Sequence, residues 1–140
     1  MDEKLLEIFE STSPGYQPVI DFGKWRVAIL NFLDEIKPER IEKMERHNEI
    51  DEVFVLLKGE GALFIAKGET QIEEIYYQAM RKGKIYNVKR SVWHTVVLSQ
   101  DGSVLIVENR NTGKENSDYC QLLPEQRRMF KAASFQQEIN

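Results

Sequence analysis

Two histidines and the acids near them are the groups in this chain best equipped for chemistry. His47 and His94 are its only histidines. Glu45 and His47 sit two apart in ERHNEIDEVFVLLKGEG, which runs from Glu45 to Gly61, and Glu52 follows four intervening residues later. An imidazole exchanges protons near neutral pH, and its neutral form offers a lone pair to a metal. A carboxylate serves as a base or as a harder ligand. Residues two apart on a strand face the same side, so Glu45 and His47 share a face. Asn48 to Asp51 can turn the chain, letting Glu52 face back toward His47 at the start of a strand that also turns Phe54 and Leu56 to that side. His94 shares its face with Val92, Val96 and Leu98. A barrel that closes these strands on one another would gather Glu45, His47, Glu52 and His94 around one interior point. A buried carboxylate without a partner is costly, so Glu52 there needs a metal, a protonated histidine or a backbone donor.

The elements that must position these groups read as strands. From Gln17 to Leu33 the texture is QPVIDF, a Gly23-Lys24 turn, then WRVAILNFL. LDEIKPER is a polar connection in which Pro38 holds Lys37 extended. Glu52 to Lys58 and Ala62 to Ala66 are β-rich runs around Gly59-Glu60-Gly61, which reads as a hairpin. KIYNV and WHTVVLS follow, then QDG, whose Asp101-Gly102 suits a tight hairpin, then SVLIVENR. QIEEIYYQAM is read as strand from its flanks. Residues 2–11 carry Leu5, Leu6, Ile8 and Phe9 near helical spacing, and Ser13-Pro14-Gly15 breaks that stretch. Pro124 opens a second helical segment, 124–136. The expected architecture is all-β, a sandwich or barrel with a short helix at each end.

At this level the residues resemble the cupins. The first cupin motif is Gly, five residues, His-x-His, three or four residues, Glu, six residues, Gly. His47 matches its second His, Glu52 its Glu and Gly59 its last Gly, while Glu45 stands where the first His is usual. The second motif is Gly, five residues, Pro-x-Gly, two residues, His, three residues, Asn. Gly83 and His94 match its Gly and His; Lys89, Ser91 and Leu98 stand at its Pro, Gly and Asn. The resemblance covers residues 45–98. It implies a jelly-roll, double-stranded β-helix barrel in one domain, 1–140, with its core over about 16–110. It also implies an interior divalent metal (Zn, Fe, Mn or Ni) held by Glu45, His47, Glu52 and His94. His47, Glu52 and His94 alone make a two-His-one-carboxylate set with open positions. Glu45 is then a ligand, a base beside the metal, or a solvent-facing residue. The alternative for all four residues is a hydrogen-bonded polar cluster without metal.

Other residues carry less. Arg26 shares a face with Ala28 and Leu30, where it meets an anionic substrate or pairs with an acid. Trp93, next to His94, faces the opposite side of its strand. Cys120 has no histidine beside it and reads as a small hydrophobe. As a lone cysteine it forms no internal disulfide, so a reducing, cytoplasmic setting is expected. The composition is that of a globular chain, 41% hydrophobic and 30% charged with a net charge of −4. No basic stripe suits nucleic acid, no apolar run suits a membrane helix, and the acidic, amphipathic N-terminus is unlike a signal peptide.

Three functions follow as expectations. The first is a metal-dependent lyase, isomerase or dioxygenase acting on a small carboxylate or sugar-like molecule, with Glu45 or Glu52 as acid or base. The second is a metal-free cupin that binds or senses a small molecule. The third is a protein that keeps the barrel for assembly. Small cupins tend to be homodimers, and the outward Val53, Val55 and Leu57 are consistent with a covered second face.

Overall fold

The computed structural model describes residues 1–133 and 135. Among the described residues ten strands form two five-stranded antiparallel sheets. The first contains β1 (Gly15–Phe22), β2 (Trp25–Asn31), β9 (Ser103–Asn109), β4 (Glu52–Lys58) and β7 (Tyr86–Val88), in that order. The second runs β10 (Ser117–Gln121), β3 (Lys43–His47), β8 (Trp93–Leu98), β5 (Gly61–Lys67) and β6 (Glu74–Ala79). The LDEIKPER connection forms two single 3-10 turns, Asp34–Ile36 and Pro38–Arg40.

Alternation along the strands sends one set of side chains between the sheets. Ala28, Leu30, Phe54, Leu56, Leu63, Val96, Leu98, Val104 and Ile106 make that inner core. A second core lies on the other face of the second sheet. Met44, Ala62, Phe64, Trp93 and Val97 pack there against Ile41, Ile72, Leu122 and Phe130. Trp93 thus faces away from His94, as period-two alternation requires. Its indole N–H donates to Gly68 O. Cys120 is half-buried against this core. The lid over it is α1 (Pro124–Ala132), opened by Pro124 and by a Leu123 N–H donating to Gln126 Oε1. Phe130 stacks on Phe64 with ring centroids 3.8 Å apart. On the outer face of the first sheet Val53 and Val55 are half-buried and Leu57 is exposed.

Four expectations change. Residues 2–11 form no helix, only a turn in which Asp2 O accepts from the N–H groups of Leu5 and Leu6. Leu5 is 79% exposed and Ile8 87%. Their apolar stripe has no surface to pack on, and a ten-residue helix is marginal in water without one. The second helix ends at Ala132; Ser134 and Gln136 of the expected 124–136 segment lie outside the described residues. Finally, neither Gly59-Glu60 nor Asp101-Gly102 closes a hairpin. β4 and β5 lie in different sheets, as do β8 and β9. Each turn carries the chain across from one sheet to the other.

These two crossing turns pack on each other. Gly59 sits at φ 71, and a Cβ there would meet Gly102 Cα at 2.7 Å. Left-handed backbone alone costs a residue with a Cβ roughly 1–2 kcal/mol. Gly59→Ala is therefore expected to destabilise the fold by at least about 2 kcal/mol, read as a lower urea midpoint with an unchanged slope.

Candidate metal centre

β3 and β8 are adjacent and place Glu45 directly opposite His94. His47 lies two residues further along β3, on the same inner face. β4 enters from the facing sheet with Glu52 at its start. The structure brings all four residues together. Glu52 Oε1 lies 2.9 Å from His94 Nε2 and 3.3 Å from His47 Nε2. Glu45 Oε1 lies 3.8 Å from His47 Nε2. The two imidazoles meet edge to face, with centroids 5.1 Å apart.

Both rings are anchored from behind. His94 Nδ1–H donates to Val92 O at 3.0 Å, since a carbonyl can only accept. His47 Nδ1 bonds Ser117 Oγ at 2.7 Å, across the β3–β10 pairing of His47 with Ser117. Ser91 helps fix the end of β3: its N–H donates to His47 O. It holds φ 66, the left-handed backbone that glycine favours, at the position where the cupin motif has glycine. With each Nδ1 occupied, each Nε2 is free to point inward. This is the outer support that metal-binding histidines ordinarily have.

His47 is buried, and its Nε2 makes no hydrogen bond despite the nearby carboxylates. Burial opposes a charge on His47, but Glu52, then Glu45 and Glu108, outweigh it and hold its pKa above the ordinary value. Burial likewise opposes the charge on Glu52. Its contacts with His47, His94 and Glu108 prevail and keep its pKa well below the usual carboxylate range. An inward pair of imidazole lone pairs with a carboxylate suits a divalent transition metal. The ligating atoms of Glu45, His47 and His94 lie within 4.8 Å of one another.

Glu108 belongs to the same cluster and escaped the sequence reading. β4 and β9 pair Val53 with Val107, which brings Glu52 beside Glu108. Glu108 is only 4% exposed. Arg26, its cross-strand partner on β2, donates to Glu108 Oε1 at 2.8 Å, and Tyr16 O–H donates to the same oxygen. Of the two expectations for Arg26, the paired acid is what the structure has. Burial, and then the neighbouring Glu52, push the Glu108 pKa up to about 7. Burial, and then Glu108, raise that of Tyr16. The signal for Glu108 was present in SVLIVENR: Val104, Ile106 and Glu108 alternate, so the acid shares the core-facing side.

Glu45 differs from the others. Its side chain is 40% exposed, and it lines a cleft of about 610 Å³ with Ile41, Lys43, Thr95, Tyr119 and Arg127. Lys43 Nζ lies over the Tyr119 ring at 4.8 Å.

No family model matches the sequence, and no curated protein matches it. Solved structures do. The capsular polysaccharide assembling protein CapF from Staphylococcus aureus is similar with a TM-score of 0.55 and 14% identity. The match covers 87% of this chain and 34% of CapF, so this chain spans about a third of that protein. A cupin-2 domain containing protein from Shewanella frigidimarina is similar with a TM-score of 0.48 and 17% identity, covering 77% of this chain and 90% of that one. An oxalate oxidase is similar with a TM-score of 0.47 and 15% identity, covering 69% and 45%. Among the described residues no helix is long and apolar enough to cross a membrane. Two five-stranded antiparallel sheets joined by sheet-crossing turns, with the histidines facing inward, make a jelly-roll sandwich whose fold is similar to that of CapF.

Proposed function

We propose that this chain is a cupin that binds one divalent transition metal (Zn, Fe, Mn or Ni) through His47, Glu52 and His94, and acts on a small polar molecule presented from the cleft beside Glu45. The observation that carries this reading is the convergence of both Nε2 atoms on Glu52 Oε1 while both Nδ1 atoms are held from behind. When bound, the metal supplies a Lewis acid for a carbonyl, carboxylate or hydroxyl oxygen. Glu52 is held ionised by the histidines and serves as a ligand. Glu45 reaches the cleft and is the better placed of the two carboxylates to exchange a proton with a ligand there. Lys43, Tyr119 and Arg127 offer donors to a carboxylate or sugar-like molecule. The lone cysteine supports a cytoplasmic setting. A homodimer through the outer face bearing Val53, Val55 and Leu57 belongs to the same reading.

One observation favours a second reading, a metal-free binding or sensor protein. His94, Glu52, Glu108, Tyr16 and Arg26 form a continuous polar network in which every carboxylate has a partner. Titration of chelator-treated protein with Mn²⁺, Fe²⁺, Ni²⁺ and Zn²⁺ separates the two. The metal reading expects one saturable site for at least one ion. Binding of none selects the metal-free reading. In the same assay Glu45→Gln is expected to leave affinity within about threefold, as a half-exposed group contributes little to a buried site. Its loss should instead appear in ligand turnover.

A further inference from the structure

We infer that Glu108 is a protein ligand of the metal, so that the site is a two-histidine, two-carboxylate set of His47, His94, Glu52 and Glu108. This rests on the metal-binding reading above. The ligating atoms of His47, Glu52 and Glu108 lie within 4.8 Å of one another, and all three residues are buried. His47 Nε2, on a side chain only 8% exposed, faces this group without a hydrogen bond. A coordinated cation gives that nitrogen the partner it lacks.

The orientation of Glu108 agrees with this role. Tyr16 and Arg26 both bond Oε1, so neither of them occupies Oε2. Glu52 and Glu108 are both buried, and Arg26 bonds Glu108. An anchored carboxylate is what a metal ligand requires. The cleft side, at Glu45, is then left for the incoming molecule.

The test is titration of chelator-treated protein with Co²⁺, followed by calorimetry and by visible absorption. Glu108→Gln keeps the shape and removes the charge. It is expected to weaken Co²⁺ binding at least tenfold and to change the absorption spectrum through the altered ligand set. Glu45→Gln is expected to stay within about threefold, with the wild-type spectrum. Should Glu108→Gln fail to fold, Tyr16→Phe replaces it, since it removes one bond that orients the carboxyl; a roughly tenfold loss is expected, as for other outer partners of metal ligands. Wild-type affinity and spectrum in Glu108→Gln, or in Tyr16→Phe as its substitute, overturn the inference and leave the metal reading standing. Wild-type protein that binds no Co²⁺ overturns both.

Discussion

His94→Ala is expected to reduce metal affinity by at least a hundredfold and to destabilise the metal-free protein as well. His94 supplies one of the two anchored Nε2 atoms, and it is almost fully buried. Its removal deletes the 2.9 Å partner of Glu52. The remaining carboxylate would sit in the barrel interior with His47 Nε2 at 3.3 Å. Removing the partner of a buried carboxylate typically costs about 3–5 kcal/mol, because the carboxylate's charge stays behind. Sign matters for pH. The folded pKa of Glu52 is depressed, so its partners stabilise the fold above the unfolded pKa, and that contribution fades as pH falls. The wild-type advantage over His94→Ala is therefore expected at neutral pH and should shrink in acid. Urea melts at two pH values, beside a metal titration, measure both effects. A stable variant with wild-type affinity would mean that His94 is an ordinary core residue.

Phe130→Ala is the second large effect, and it lies far from the site. Phe130 is fully buried and stacks on Phe64, the β5 residue that carries the outer core of the second sheet. Among the described residues Phe130 is the one buried residue of α1, and Gln126 Nε2 also ties the helix down by donating to Ile72 O. Deleting a buried Phe costs about 3–5 kcal/mol through lost transfer energy and the cavity left behind. For a chain of this size that corresponds to a melting-temperature drop of roughly 10–20 °C. Metal affinity should be unchanged in protein that remains folded, because Phe64 and His94 face opposite sides of the second sheet. Thermal melts followed by circular dichroism, with a metal titration at low temperature, check both halves.

The convergence of Glu45, His47, Glu52 and His94 was largely legible because its signal is local. Glu45, His47 and Glu52 lie within eight residues, and His94 lies in the strand-like run WHTVVLS. Alternation then sets their faces without any knowledge of pairing. Glu108 was not legible in that way. It comes from β9, whose neighbours β2 and β4 are distant in sequence, and its meaning depends on a pairing that joins Val53 to Val107. The same cause explains the two supposed hairpins. Turn chemistry at Gly59-Glu60 and Asp101-Gly102 marks where strands end, but not whether the next strand pairs or crosses to the other sheet. The N-terminal stretch failed for another reason. The periodicity of Leu5, Leu6, Ile8 and Phe9 was real, but a helix needs a surface for its stripe, and the fold offers none there.

The reading that this barrel holds a metal is tested by elemental analysis of protein purified without a metal-affinity tag. Close to one equivalent of a divalent transition metal is expected, lost in His47→Ala and in His94→Ala. Protein that carries no metal, and takes up none after incubation with Fe, Mn, Zn and Ni, would contradict it.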